Sequence, residues 1–295
     1  MKIIKIDKNF VKKNLPKRFD WQNKNHFGRI LIVAGSKNMS GAPYLAALSA
    51  FRSGCGIVYI AVPDLIRDVV ALGLPEAIVF GLKSNKGYFD SISVKQLAQL
   101  KEKYRFDLLI IGPGIGFEKN TADFVIDSVK LLALPSVIDA DGLNSFSLRK
   151  EKIKILREIP CIMTPHEGEL KRLIGDKKDR KESALSLSAM SGAVVVLKGK
   201  NTLITDGVEI CENTTGDNTL AKAGSGDVLS GIIGSLWVQK AKDSDYRKSA
   251  ISSAAISVWI HGRCGDLAKK ELTNRGLLSS EIASVYLPKV FKELA

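Results

Sequence analysis

The sequence predicts an α/β fold with a mostly parallel central sheet, helices on both faces and an antiparallel hairpin at the sheet's edge. Two observations carry this expectation. Short β-branched runs alternate with longer segments of helical period, the signature of successive βαβ units. One late pair of runs is instead joined by Asp206-Gly207, a dipeptide that tolerates the positive φ of a tight type I′ turn. With 295 residues, 45% hydrophobic and 25% charged, the chain is long enough for one large core. We expect a basic N-terminal arm over 1–27 and a single domain over 28–295.

The elements follow in order. The first strand is Arg29 to Val33, and a Gly-Ser turn leads to a helix from Ala42 to Ser53, with Ser40 as N-cap and Gly54 as its stop. Ile57 to Val62, Leu65 to Leu72, Ala77 to Leu82 and Val94 to Tyr104 repeat the strand and helix pattern. Leu108 to Ile111 reads as a buried strand that breaks into Gly112-Pro113-Gly114-Ile115-Gly116, and Val137 to Asp139 breaks into Asp141-Gly142. Ile159 to Met163 ends in Thr164-Pro165-His166-Glu167-Gly168-Glu169, where Thr164 is expected to cap a helix that begins at Pro165. Val194 to Leu197 runs into Lys198-Gly199, and Thr202 to Thr205 and Val208 to Cys211 form the hairpin, about eight strands in all. The last third reads as helices: Val228 to Val238, Arg247 to Ala268, and Ser280 to Leu294 with a break near Pro288.

Composition narrows the function classes. No apolar stretch approaches the roughly 18 to 20 residues of a membrane-spanning helix, and the basic N-terminus carries no apolar segment of a secretory signal, so the expected address is the cytoplasm. Cys55, Cys161, Cys211 and Cys264 are widely spaced with no CxxC pair and read as reduced structural thiols. The net charge of +13 is spread along the chain without a nucleic-acid-binding motif or interleaved aromatics. It suits polyanionic small molecules, and neither a nucleic-acid nor a membrane partner is expected.

The most informative segment is Ala223-Gly224-Ser225-Gly226-Asp227, between a polar loop and an apolar helix. Small residues at a helix start leave backbone N–H groups converging on one place, an anion site by geometry and dipole. A carboxylate there makes sense if Asp227 takes a proton from a nucleophile while the N–H groups of Gly224, Ser225 and Gly226 hold a transferring phosphoryl group. The alternative is that Asp227 merely complements the helix dipole. Common nucleotide signatures fail: a Walker A loop ending at Gly199-Lys200 needs Gly where Val194 stands, and the glycine turn at 112–116 lacks the dinucleotide spacing because residue 117 is Phe. The zinc-helix pattern fails at Leu170. His166, at a strand end, is a candidate ligand contact, whereas His26 and His261 read as structural.

Seven segments in order, Gly35-Ser36 with Gly41-Ala42-Pro43, Pro75-Glu76, Gly112 to Gly116, Asp139 to Asn144, Thr164 to Glu169, Lys198-Gly199 with Thr202, and Ala223 to Gly231, resemble the ADP/ATP-dependent NAD(P)H-hydrate dehydratases. That family is a branch of the ribokinase-like superfamily, and the resemblance spans residues 27 to 285. It implies a three-layer ribokinase-like sandwich and a repair reaction. The S epimer of hydrated NADH or NADPH is phosphorylated on its ring hydroxyl by ADP or ATP, and phosphate is then expelled. The resemblance places Asp227 as base, and Ala42, Gly116 and His166 with Asp227 around the hydrated cofactor. Lys198, Gly199, Lys200, Asn201 and Thr202, with Gly224, Ser225 and Gly226, would contact the nucleotide, and Glu169 and Asn144 would order Mg²⁺ through water. It also implies a homotetramer and, with only about 27 residues before the first strand, a separate epimerase protein for the other epimer. Many members have Asn-Pro-Gly where this chain has Asp217-Asn218-Thr219. The rival reading is a ribokinase-like kinase of a vitamin precursor such as hydroxymethylpyrimidine, thiazole or pyridoxal. A nucleotide or nucleic-acid binding protein without turnover rests on charge alone.

Overall fold

The apolar runs pair side by side into one sheet in a computed structural model that describes residues 3–176, 179–242 and 244–295. Its strands are β1 (Ile3–Lys5), β2 (Arg29–Val33), β3 (Ile57–Pro63), β4 (Ile78–Leu82), β5 (Leu108–Ile111), β6 (Ser136–Ile138), β7 (Cys161–Met163), β8 (Val194–Leu197), β9 (Thr202–Thr205) and β10 (Ile210–Asn213). The spatial order is β1-β10-β9-β8-β7-β6-β5-β2-β3-β4. Among the described strands β9 alone is antiparallel to its neighbours, β8 and β10.

Helices α1 (Lys8–Asn14), α2 (Gly41–Arg52), α3 (Arg67–Gly73), α4 (Ser91–Lys103), α5 (Lys119–Leu132), α6 (Asp141–Leu148), α7 (Glu167–Ile174), α8 (Arg180–Ser191), α9 (Ser225–Lys240) and α10 (Tyr246–Leu272) cover the sheet. Because side chains alternate along a strand, β2 sends Ile30 and Ile32 into one core and Leu31 and Val33 into the other. The first core gathers α2, α9 and α10; the second gathers residues of α4 to α8. The result is a three-layer sandwich.

After β2, β3 and β4 the chain returns to the other side of β2 as β5, so the order reverses between these two strands. Gly35 N–H donates to Pro113 O at 2.8 Å and Gly112 N–H to Val33 O at 3.2 Å, tying the two turns together at this switch point. Open α/β sheets bind ligands in such a crevice at the carboxyl ends of their strands. The positive φ of Gly112, at 124°, and the backbone of Asp139 and Gly142 packed where a side chain would sit explain glycine there.

Several local expectations change. The segment before β2 is not a free arm: β1 pairs in parallel with β10 beyond the hairpin, and Ile6 and Val11 are buried in the first core. The hairpin has a longer turn than Asp206-Gly207 implies. Asp206 Oδ1 accepts the N–H groups of both Val208 and Glu209, and β10 starts at Ile210 opposite Thr205. Ser40 stands at the N-cap of α2 without a side-chain capping bond. At the C-terminus the break near Pro288 is a π turn over Ile282–Tyr286, ahead of a helical stretch Leu287–Leu294. Proline has no N–H to continue the α ladder.

Candidate active site

The start of α9 is shaped by the loop before it. Asp217 accepts Thr219 N–H at 2.9 Å and Thr219 Oγ1–H at 2.6 Å, capping one 3-10 turn over Asn218–Leu220, and pairs with Lys269 at 2.5 Å. The Asp217-Asn218-Thr219 departure therefore forms an ordered, capped turn. Gly216 N–H donates to Asp266 Oδ1, and Ser279 Oγ holds Ala223 O at 2.6 Å. Gly224 adopts φ 85°, which releases the chain into α9; contrary to the expectation of three free N–H groups, Ser225 N–H turns back onto Lys222 O at 3.2 Å. Ser225 Oγ lies 3.1 Å from Nε2 of the buried His261. Burial pushes the His261 pKa down to about 4, so the ring is neutral at pH 7.

Beneath this turn lies Asp139, at the end of β6 and 1% exposed. Its Oδ1 accepts from Lys198 Nζ at 2.8 Å and Thr164 Oγ1 at 2.7 Å, and its Oδ2 from Ser230 Oγ at 2.6 Å. Burial alone would raise its pKa, but the Lys198 charge and the three hydrogen bonds outweigh it and hold the carboxyl below its ordinary range. Lys198 is the counterpart. Burial opposes its charge, yet Asp139 and Glu169, whose Oε2 lies 3.8 Å away, keep it protonated.

Asp227 is different. No hydrogen bond from the described residues reaches its carboxylate. Burial first, then the negative charges of Asp139 and Asp141, raise its pKa to about 7 against the opposing pull of Lys198. A base acting at neutral pH needs a pKa near that value.

His166 sits across the edge as the N-cap of α7, correcting the expectation that Thr164 caps and Pro165 opens this helix; Thr164 is instead spent on Asp139. His166 Nδ1 accepts the N–H groups of Gly168 at 2.9 Å and Glu169 at 3.2 Å. Burial, Lys198 and Arg172 lower its pKa, so the neutral ring carries its proton on the half-exposed Nε2 side. Glu169 Oε2 returns the cap by accepting His166 N–H at 2.8 Å. Asn144 Oδ1 accepts from Arg172 Nε at 2.8 Å, and Asn144 Nδ2 donates to Asp141 Oδ1. Asp141 Oδ2 in turn takes the N–H of Gly116 at 2.9 Å. Gly114 turns so close to Ala42 that an added Cβ would lie 2.8 Å from the alanine methyl, which brings the glycine turn onto the start of α2. The loop from Lys198 to Thr202 has φ 142° at Gly199 and 54° at Asn201; it is held by Thr202 Oγ1 on Gly199 O and by Arg180, which donates to Lys200 O at 2.7 Å and pairs with Glu167. Farther along the edge, a cleft of about 570 Å³ is lined by Lys37, Asp64, Ser84 and Lys86.

Residues 30–288 match the sequence profile of the NAD(P)H-hydrate dehydratases. The chain belongs to this family. It is 34% identical over 290 residues to the ADP-dependent (S)-NAD(P)H-hydrate dehydratase of Bacillus subtilis, with 96% of this chain and 95% of that one covered. Against a bifunctional NAD(P)H-hydrate repair enzyme of Moorella thermoacetica the identity is 33% over 97% of this chain but 53% of the relative, so the chain spans about half that protein's length. A crystal structure of the ADP/ATP-dependent NAD(P)H-hydrate dehydratase from Bacillus subtilis, co-crystallised with ATP/Mg²⁺, superposes over both whole chains with a TM-score of 0.82 at 30% identity. A ribokinase-like superfamily protein from Enterococcus faecalis, at 23% identity and a TM-score of 0.81, shares the fold.

In this NAD(P)H-hydrate dehydratase family member, sequence reading found the strand-end motifs but gave no site role to four residues that organise them. Asp139, Thr164 and Ser230 form the hub under α9, and His261, read as merely structural, backs Ser225. The strand-end position of Asp139 was a visible signal. Ser230, though inside the Ala223 to Gly231 segment, and His261 carried no signal of these roles, because only the packing of α9 and α10 brings them against Asp139 and Ser225.

Proposed function

We propose that this chain dehydrates the S epimer of hydrated NADH and NADPH at the expense of ADP or ATP. The observation that carries the reading is Asp227, a carboxylate without a hydrogen bond from the described residues at the N-terminus of α9, with a pKa near 7 and the Lys198 ammonium close by. Hydroxide is a poor leaving group and phosphate a good one. Asp227 takes the proton of the ring hydroxyl, whose oxygen attacks the terminal phosphorus of the nucleotide as the old P–O bond breaks. The phosphate then leaves with the C–O bonding pair, the ring nitrogen pushes in its lone pair, and the neighbouring carbon loses a proton to restore the double bond.

In this reading the Gly226 N–H and the Lys198 ammonium face the transferring phosphoryl group, with Gly224 and Ser225 shaping the turn that presents them. The loop from Lys198 to Thr202 takes the rest of the nucleotide. Ala42, Gly116 and His166 line the nicotinamide end of the hydrate, and the cleft bearing Lys37 and Lys86 suits its phosphate-bearing remainder. Mg²⁺ would be carried by the nucleotide's phosphates, with Glu169 and Asn144 acting through water. The ion would supply charge neutralisation at those phosphates.

We further expect a homotetramer, supported by Leu65, Val69 and Leu72, which are 59%, 62% and 85% exposed from the turn before α3 to its end. A separate epimerase would supply the S epimer from its mirror partner at the hydrated carbon. A cytoplasmic setting agrees with four free, buried cysteines. The decisive assay incubates the protein with hydrated NADH, Mg²⁺ and either nucleotide and follows the nicotinamide absorbance. Its return, with one phosphate released per turnover, is the expected result. Phosphorylation of a vitamin-precursor alcohol without any elimination would favour the kinase reading, in which the same base and anion site stop at the phosphate ester.

A further inference from the structure

Two carboxylates compete for one ammonium at the start of α9. A Cβ built on Gly226 would lie 3.5 Å from Lys198 Nζ and 3.6 Å from Asp139 Oδ2, so the Lys198–Asp139 pair sits directly against the turn that carries Asp227. Lys198 nevertheless bonds Asp139 at 2.8 Å, and Asp227 is left without a hydrogen bond from the described residues. We propose that Asp139 is a positioning residue: it captures the Lys198 ammonium and so keeps the Asp227 carboxylate free to take the proton of the substrate hydroxyl.

The geometry explains why Asp139 wins. It stands at the end of a central strand, fully buried, and its remaining acceptor sites are already filled by Thr164 Oγ1 from β7's end and Ser230 Oγ from α9. Those neutral donors stabilise the ionised carboxylate in place at no cost in charge. Asp227, one helical turn earlier than Ser230, has no such donors among the described residues. A buried charge is stable when paired and hydrogen-bonded, so the ammonium is drawn to the better hydrogen-bonded acceptor. Were Lys198 paired with Asp227 instead, that carboxylate would be ionised but weakly basic. The charged groups around Asp227 are Asp139 from the end of β6, Asp141 from α6 and Lys198 from the end of β8, with Glu169 reaching it only through Lys198. Removing Asp139 therefore acts twice in one direction, deleting a negative neighbour and releasing a positive one. Removing Lys198 acts in the other.

The inference rests on the proposed role of Asp227, and its test uses two readouts so that the two ideas fail separately. In the free protein, with ¹³C-labelled aspartate, the Asp227 carboxyl is assigned by its absence in Asp227→Asn and titrated by NMR. We expect Asp139→Asn to move its midpoint down by at least one pH unit and Lys198→Met to move it up. The acid limb of kcat/KM for the hydrate at saturating ADP should move with each variant in the same sense. Both midpoints staying in place, or Asp139→Asn moving its midpoint up, would overturn the inference whether or not the protein turns over. Absent turnover in the unaltered protein would sink the proposed reaction while leaving the titration to decide this point. If Asp139→Asn does not fold, the double variant Thr164→Val/Ser230→Ala, which strips the donors that make Asp139 the stronger acceptor, takes its place: a midpoint moved down supports the inference, and one left in place or moved up overturns it.

Discussion

Replacing Asp227 with Asn separates a catalytic base from a helix-terminal charge, because the two roles predict opposite changes in stability. Burial and the charges of Asp139 and Asp141 raise the Asp227 pKa from 3.8 to about 7, so the folded protein binds this proton more tightly than the unfolded chain. The favourable contribution is complete below pH 3.8 and is lost as pH rises towards 7. At about 1.4 kcal/mol per pH unit, Asp227 costs the fold about 4 kcal/mol at pH 8, where it is ionised in both states, and about 2 kcal/mol at pH 5, where the folded protein holds it protonated and the unfolded chain leaves it ionised. Asparagine has similar size and no charge. Asp227→Asn should therefore be more stable at pH 8 by up to this amount, a rise of about 5 to 10 °C in Tm, with a smaller gain at pH 5. Turnover should fall by about 10² to 10⁴, the usual cost of losing a positioned base. Thermal melts at the two pH values, the turnover assay and the nucleotide Kd, expected to change little, form one experiment. A lower Tm at pH 8, by the 0.3 to 1 kcal/mol of a lost helix-end charge, together with near-normal turnover, would refute the reasoning.

In the unaltered protein kcat/KM should rise with pH through about 7 as Asp227 loses its proton, and a flat profile from pH 5 to 9 would argue against it as the base. Gly224→Ala places a methyl at φ 85° against Leu45, so we expect a stability loss of about 1 to 2 kcal/mol by chemical denaturation and a raised nucleotide KM. Arg180→Ala removes the clamp on Lys200 O and should raise nucleotide KM several-fold with kcat little changed, measured with ADP and ATP in parallel. ADP is expected to support at least as fast a rate as ATP. Raising salt to 0.5 M should weaken nucleotide binding by screening, which calorimetry would read directly.

Local interactions were legible in the sequence because they act within a few residues. The periods of Arg29 to Val33, Leu108 to Ile111 and Val194 to Leu197 pointed to parallel strands, and their glycine-rich ends to the strand edge where a site was expected. Gly224 to Asp227 read as an anion site for the same reason, since small residues before an apolar helix favour that geometry. The N-terminal strand escaped notice because three residues, Ile3 to Lys5, carry no readable period, and only pairing with β10 makes them a strand. The cap of α7 was misassigned because Thr164, Pro165 and His166 are each plausible by local rule. The choice fell to His166 because Asp139, 25 residues earlier, claims the Thr164 hydroxyl. The base role of Asp227 was readable from its place at the helix start, but its raised pKa was not. That pKa comes from burial and the charges of Asp139 and Asp141 against the pull of Lys198, and neighbours up to 88 residues away act only once the chain has brought them together.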